Sequence, residues 1–332
     1  MAPVDQVLQM CRGISFADDC EIQDWFCSEV VNGAIATRRP PSVAYTSRLM
    51  KLLVQDIELQ QREPSDALLE TTCTRMEQYS AASKEKPPCF VTYILPEGEP
   101  VSCRIYQEKN EVGLRLWEAA FYLAEYFWTF ADLLDGRRCV ELGSGVGLAA
   151  IMILRKCRLG TFVLTDYLPS ILANLRFNLE ENGIALSGSA SEEPASVSVE
   201  LLDLEKNPGV KLGELLARGI DTVVASDVLY DPDLVKGVVH ALSVLLPPPK
   251  ATASHVPVAY IAATRRNDQT MDIFRSLCAD AGLTVEVDKR EVRHLFEYDR
   301  RTVEMLRITC CVGMGAGETG CVDERSHAVC VG

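Results

Sequence analysis

A glycine-rich turn between a predicted strand and a predicted helix constrains this chain more than any other sequence feature. Residues 140–148 read Val-Glu-Leu-Gly-Ser-Gly-Val-Gly-Leu. Glycine is required where the backbone turns tightly and approaches a ligand, with the N–H groups of the following helix facing it. The dinucleotide fingerprint needs its third glycine at position 148, which is Leu148, and the third glycine here is Gly147. A pyrophosphate site is therefore disfavoured. The turn either binds a different ligand or is a tight strand-to-helix turn without a ligand.

Short apolar runs alternate with helical stretches from Leu114 onward. The runs rich in β-branched residues lie at 139–142, 161–165, 197–202, 222–225 and 258–262. This alternation is typical of βαβ units with a parallel sheet and right-handed crossovers. Two more strands, at 284–287 and 302–311, follow without a helix between them. We therefore expect an α/β fold whose last pair of strands is antiparallel.

Three regions of the chain differ in pattern. Residues 1–88 carry apolar side chains at helical spacing and are predicted to be a helical N-terminal region. Residues 89–312 are predicted to form the sheet domain, which starts with a β-hairpin turning at Pro-Glu-Gly. Residues 313–332 are glycine-rich and polar, which predicts a disordered tail. The segments 187–196 and 247–257 are predicted to be flexible loops.

Composition and charge narrow the class of protein. None of the apolar runs in the 332 residues approaches the roughly 20 needed to span a bilayer, and the N-terminus lacks the features of a signal peptide. We therefore expect a cytoplasmic protein without a membrane partner, and we expect a monomer. The net charge of −14 argues against a nucleic-acid partner. Thirteen cysteines without a Cys-x-x-Cys pair, and four scattered histidines, predict reduced cysteines and no metal site.

Acidic residues follow the predicted strands, where ligands bind in open α/β sheets. Asp166 lies 23 positions after Gly143, a spacing that suits a carboxylate binding a ribose diol. A helix N-cap is the alternative role for Asp166. Asp203 follows the third strand, and an ordinary turn aspartate is the alternative there. Asp227 and Tyr230 follow the fourth strand, where Asp227 is either a ligand-binding carboxylate or an N-cap.

Several of these motifs resemble a known family. The Gly-x-Gly-x-Gly spacing behind Glu141 resembles motif I of the seven-strand S-adenosylmethionine-dependent methyltransferases. Asp-x-x-Tyr at 227–230 resembles the protein-lysine branch of that family, whereas the base and glutamine methyltransferases carry two prolines where Val228 and Leu229 stand. Further motifs in the same chain order resemble the FAM86 group of that branch: Pro40–Tyr45, Tyr93–Pro96, Leu116–Ala120 and His294–Tyr298.

The resemblance, which covers about residues 40–310, implies a fold and an activity. The fold is a seven-stranded Rossmann-like class I methyltransferase sheet, with the last strand antiparallel and a helical N-terminal extension. The activity is S-adenosylmethionine-dependent N-methylation of a lysine in a protein substrate, translation elongation factor 2. A different protein substrate is one alternative. The other is a catalytically silent methyltransferase-fold protein that only binds partners.

The resemblance also implies the roles of individual residues. Asp227 and Tyr230 would be the catalytic residues, and the Asp203 position would contact adenine. Two positions depart from the family pattern, since Leu204 stands where the relatives usually have tryptophan and Ser226 replaces a common alanine. Trp117 is either a core residue on an apolar helix stripe or, by resemblance, a cofactor contact. The implied cofactor contacts are Trp117, Gly143, Ser144, Gly145, Asp166, Leu204 and Ser226.

Overall fold

The computed structural model describes residues 4–82, 87–107, 111–187, 196–206, 208–249 and 255–311 of the 332-residue chain. The predicted tail at 313–332 lies outside these residues. Much of the two predicted loops at 187–196 and 247–257 also lies outside them.

The N-terminal region is helical, as predicted. A π-helical segment, Phe26–Val31, follows its second helix. Ser42 and Ser65 begin the fourth and fifth helices, where their hydroxyl oxygens accept backbone N–H bonds. Met50, Leu53 and other apolar residues of the region form a cluster of their own, apart from the two clusters that flank the sheet. The helices are α1 Val4–Gly13, α2 Cys20–Trp25, α3 Ala34–Arg38, α4 Val43–Leu59 and α5 Asp66–Ala81.

The predicted hairpin and sheet are confirmed. The hairpin strands, β1 Cys89–Tyr93 and β2 Val101–Ile105, are antiparallel. The described residues form a seven-stranded sheet in the order β5-β4-β3-β6-β7-β9-β8, in which only β9 runs against its neighbours. Strand bounds differ from the predicted ones by one or two residues. They are β3 Arg138–Leu142, β4 Thr161–Asp166, β5 Ser196–Leu201, β6 Thr222–Ser226, β7 Val258–Thr264, β8 Leu283–Asp288 and β9 Val303–Cys310.

Helices cover both faces of the sheet, which explains why most residues of its central strands are buried and apolar. Successive residues alternate between the two faces, so that Tyr260 packs on the first face and Ile261 on the second. The order of the strands reverses between β3 and β6, and such a switch point opens a crevice at the carboxyl ends of the strands. The first face carries α6 Glu118–Thr129, α7 Leu148–Lys156 and α8 Pro169–Glu181, and the second carries α9 Gly209–Ala217, α10 Pro232–Leu245 and α11 Asp268–Asp280.

A ladder of asparagines attaches the hairpin to α8. Asn174, Asn178 and Asn182 are four residues apart and therefore share one face of the helix. The Asn178 side chain accepts from the backbone N–H of Arg104 at 2.8 Å. Asn182 accepts from the N–H of Ser102 at 3.0 Å and donates to its carbonyl at 2.7 Å. These amides satisfy backbone groups on an edge of β2 that would otherwise lack partners.

The 294–298 motif meets the hairpin beside α6, although the two segments are far apart in sequence. The buried Glu125 carboxylate accepts the backbone N–H groups of Leu295 and Phe296, at 2.7 and 2.9 Å. Arg300 forms an ion pair with the same carboxylate at 2.7 Å. The Phe296 ring packs edge-on against Tyr93 of the hairpin, with 5.0 Å between ring centroids. The 294–298 motif therefore fastens the hairpin and α6 together.

Candidate active site

A cavity of about 590 Å³ opens at the carboxyl ends of β3, β4, β5 and β6. This is the position where the strand order predicts a ligand crevice. All the residues that the sequence predicts for cofactor and acceptor lie in its wall, although their roles remain predictions. They are Trp117, Gly143, Ser144, Gly145, Asp166, Leu204, Ser226, Asp227 and Tyr230.

The glycine turn after β3 lies against neighbouring atoms on several sides. Gly145 has a φ of +54°, and a Cβ on it would lie 3.2 Å from the carbonyl oxygen of Gly113. Gly147 has a φ of +87°, and a Cβ there would lie 2.4 Å from the Leu175 side chain. Left-handed backbone is costly for residues with a Cβ. A Cβ is therefore disfavoured at both positions, and at Gly145 bare backbone faces the cavity.

The buried Asp166 carboxylate fixes the shape of this turn. One of its oxygens accepts the backbone N–H of Gly145 at 3.0 Å, and the other accepts that of Tyr167 at 2.8 Å. Burial raises the pKa of Asp166, and these N–H groups act against that rise. The N-cap of α8 is Leu168, which excludes the alternative role of Asp166 as a plain helix cap, and its role in binding a ribose diol stays a prediction.

Two buried polar groups at the glycine turn have unmet hydrogen-bonding capacity. Glu141 Oε2 and Ser144 Oγ make no hydrogen bond of normal length and angle within the described residues. Burial raises the pKa of Glu141 to about 7; the nearby Ser144 hydroxyl partly opposes this rise, and the Asp166 carboxylate adds a smaller contribution to it. Buried polar atoms without partners are rare in native proteins, and each needs an explanation such as a ligand or water. Ser144 lines the cavity, so a polar ligand there fits its hydroxyl.

Asp227 lies at a strained bend after β6. Its φ of +56° is left-handed, a region that aspartate enters more readily than most residues with a Cβ. The bend is held by its backbone N–H, which donates to Ala262 on β7 at 2.9 Å. The helix that follows is capped by Asp231, which excludes the alternative role of Asp227 as an N-cap. The strain instead directs a carboxylate toward the cavity, as is common at functional sites.

Trp117 forms a wall of the cavity. It precedes α6, is only half-buried, and donates its indole N–H to the Val112 carbonyl at 3.0 Å. The alternative that it is a core residue of the helix stripe is therefore excluded, and its role as a cofactor contact stays a prediction. Tyr230 stands at the mouth with 46% of its surface exposed, and partial burial raises the pKa of its hydroxyl.

Asp203 and Leu204, which follow the carboxyl end of β5, line the cavity. The Asp203 carboxylate accepts the backbone N–H groups of Glu205 and Lys206, at 3.0 and 3.2 Å, which is the turn geometry foreseen as its alternative role. Leu204 is buried against α10, where a Cβ on Gly237 would lie 2.3 Å from the Leu204 carbonyl oxygen. Any adenine contact from Leu204 is therefore aliphatic.

Sequence reasoning missed Arg266. Its guanidinium Nη2 lies 2.6 Å from Asp227 Oδ2, and its Cζ lies 5.1 Å from the centre of the Trp117 ring. The available signal was its position shortly after β7, the strand beside β6. Val112, Gly113 and Tyr167 also line the cavity and were missed.

Clusters of metal ligands are absent from the described residues. In that part of the chain, no group of three His, Cys, Asp or Glu side chains could hold a metal ion. None of the helices that the structure describes is both long and apolar enough to cross a bilayer. The described cysteines are free thiols, and most of them are buried.

Comparison with known proteins gives a consistent picture. A family model described as lysine methyltransferase matches residues 101–279. The human protein-lysine N-methyltransferase EEF2KMT is 29% identical over 299 residues, covering 88% of each chain. The protein-lysine N-methyltransferase EFM3 of Chaetomium thermophilum is 25% identical over 84% of this chain and 87% of its own. The calmodulin-lysine N-methyltransferase of Arabidopsis thaliana is 28% identical over half of each chain.

Proposed function

The chain belongs to the lysine methyltransferase family and is a protein-lysine N-methyltransferase, and on this premise we propose that it transfers a methyl group from S-adenosylmethionine to a lysine of translation elongation factor 2. The observation that carries the proposal is a single cavity lined by the glycine turn, Asp166 and Asp227. This cavity lies where the strand order reverses. It offers one end to a nucleoside cosubstrate and the other to an amine.

The residues of the turn fit S-adenosylmethionine. Gly143 and Gly145 expose backbone that a ligand can approach, and the Ser144 hydroxyl has no other partner of normal geometry among the described residues. Asp166 is placed to accept hydrogen bonds from a ribose diol, because its carboxylate lines the cavity at the end of β4. When bound, the sulfonium of this cosubstrate supplies an electrophilic methyl group.

The acceptor side suits an amine that arrives charged and reacts neutral. A lysine has a reference pKa of about 10.4 and is mostly protonated at neutral pH. The Asp227 carboxylate docks the ammonium and orients it, while contact with Trp117 and Tyr230 removes water and lowers the amine's pKa. Once the nitrogen has lost its proton to water, its lone pair forms the new N–C bond as the C–S bond breaks, and the sulfur leaves as a neutral thioether. Alignment of these groups supplies most of the acceleration.

The choice of elongation factor 2 rests on the relatives. EEF2KMT and EFM3 both align with more than four fifths of this chain, and EEF2KMT is named for elongation factor 2. The relative named for calmodulin matches only half of the chain. Elongation factor 2 acts in the cytoplasm, so the proposal includes a cytoplasmic location.

The test is incubation of the purified protein with purified elongation factor 2 and methyl-labelled S-adenosylmethionine. We expect label on elongation factor 2 at a lysine that mass spectrometry identifies, and none on calmodulin. Label on calmodulin alone would instead support a different protein substrate. Absence of cosubstrate binding in calorimetry would support the silent, partner-binding alternative.

A further inference from the structure

Arg266 holds the position that an acceptor amine needs. Its guanidinium lies between the Asp227 carboxylate, at 2.6 Å, and the face of Trp117, at 5.1 Å from the ring centre. A carboxylate on one side and an aromatic face on the other form a binding site for a cation. All three side chains line the cavity that also contains the glycine turn. A cation of the protein itself therefore fills the cation site next to the proposed cosubstrate.

We propose that Arg266 is an internal occupant of the acceptor site, whose place the substrate's lysine ammonium takes during binding. The inference rests on the proposed function only in identifying the acceptor as a lysine. A primary ammonium that pairs with Oδ2 of Asp227 has to displace the guanidinium first. Arg266 thus sets how readily the acceptor site opens.

The structure gives Arg266 the freedom to leave. It lies in the loop between β7 and α11, directly before Asn267, which is the N-cap residue of α11. Its side chain is 41% exposed. Asp227 in contrast is only 9% exposed, so the carboxylate stays in place while its partner exchanges. Ion pairs with an exposed member contribute little to stability, because water screens them and holding a long side chain costs entropy. Exchange of one cation for another is therefore inexpensive.

The chemistry of arginine suits an occupant that must not react. A guanidinium is a permanent cation in proteins, and it acts only as a hydrogen-bond donor, without accepting bonds. While it is in place it neutralises Asp227 and restricts the access of small amines to the site. A protein substrate can displace it with binding energy from contacts elsewhere on its surface, which a free amine lacks. The occupant therefore favours a lysine that is presented on a large, matching surface.

The preceding residue provides a matched control. Arg265 pairs with Asp268 at 2.9 Å and with Glu304 at 3.3 Å, and it does not line the cavity. Both variants thus remove one positive charge. Arg265→Gln removes it outside the site, and Arg266→Gln removes it inside the site.

The first measurement uses n-butylammonium, an analogue of the lysine side chain, as the probe. It is titrated into the full-length protein at constant ionic strength, and binding is followed through the indole N–H resonance of Trp117. We expect Arg266→Gln to bind it about three- to tenfold more tightly than wild type, as loss of one exposed ion pair and one cation–π contact predicts. Arg265→Gln should keep the wild-type affinity. Unchanged affinity in Arg266→Gln would overturn the proposal.

The second measurement is steady-state methylation of elongation factor 2. We expect Arg266→Gln to lower KM by a similar factor and to keep kcat within about twofold, because a competing occupant acts on binding rather than on the methyl transfer. A fall in kcat at constant KM would overturn the proposal and make Arg266 part of the reacting site. If wild type does not methylate elongation factor 2 but the butylammonium result holds, the proposed substrate fails and the occupant stands.

Discussion

The two halves of the cavity are built in different ways. In the cofactor half, the turn 143–147 and Asp166 are held by backbone hydrogen bonds, and the carboxylate is buried. In the acceptor half, Asp227 is paired with the half-exposed side chain of Arg266, and Tyr230 is also about half-exposed. Groups fixed by backbone bonds keep their geometry whether or not a ligand is present. Groups paired through exposed side chains can change partners.

Left-handed backbone occurs in both halves of the cavity but has a different effect in each. At Gly145 it lets bare backbone approach a ligand, and a Cβ would meet Gly113. At Asp227 it turns a functional side chain toward the cavity. The comparison teaches that the first half is shaped before binding, whereas the second, under the proposal for Arg266, exchanges one cation for another.

The largest effect is expected from Gly145→Arg, which fills the cofactor half. The residue has a φ of +54° and lies against Gly113, so a long side chain has no space except the cavity. We expect the affinity for S-adenosylmethionine to fall about 1,000-fold or more, which corresponds to a loss of about 4 kcal/mol, in isothermal calorimetry. Gly183→Arg is the control, because Gly183 also has a positive φ but has open space around its Cβ position. Wild-type affinity in Gly145→Arg would show that the cosubstrate binds elsewhere.

Asp227→Asn should separate the two halves. Asparagine keeps the shape of the side chain and tolerates left-handed backbone, but it lacks the charge that docks an ammonium. We expect kcat/KM to fall about 100-fold, near 3 kcal/mol, while the affinity for S-adenosylmethionine changes by less than about threefold. Asp231→Asn, at the cap of α10, should leave turnover near wild type because asparagine caps helices well. Equal loss of turnover and cosubstrate affinity in Asp227→Asn would instead assign the residue to the scaffold.

Glu141→Gln should reveal how much the burial of this carboxylate, next to the glycine turn, lowers the free energy of unfolding. The folded protein holds the pKa of Glu141 at about 7, above its ordinary value of 4.5, so it binds more protons than the unfolded chain between these values. The free energy of unfolding therefore falls as pH rises from about 4.5 to 7, by up to about 3 kcal/mol from this group, and then levels off. The glutamine variant should lack this decline and be the more stable protein at pH 8, as measured by urea unfolding. Parallel pH profiles for the two proteins would contradict the shift.

The sequence could predict the parts of the molecule that depend on local pattern. The alternation of strands and helices, and the missing helix before β9, are visible in spacing alone and predicted the sheet correctly. Asp166 and Asp227 were found because they follow strands, and parallel strands end at one edge. The asparagines of α8 have a visible spacing of four, but their partner, the edge of β2, is set by tertiary packing.

Arg266 shows why the rest of the site could not be predicted. Arg265 and Arg266 are adjacent and chemically identical, and sequence does not tell which of them turns toward the cavity. The choice depends on where Asp268 and Glu304 stand to bind Arg265, and on the left-handed bend that aims Asp227. Both are consequences of the folded chain.

Tyr230 offers the smallest and finest test of the acceptor half. If it acts as an aromatic wall, Tyr230→Phe keeps the face that an amine contacts, and kcat/KM should change by less than about threefold. Tyr230→Leu loses that face and should lower kcat/KM about tenfold, as expected for a cation–π contact of about 1 kcal/mol or somewhat more. Steady-state kinetics on the protein substrate measures both. If phenylalanine costs as much as leucine, the hydroxyl positions the amine, and the acceptor half then contains a fixed hydrogen bond of the kind found beside the glycine turn.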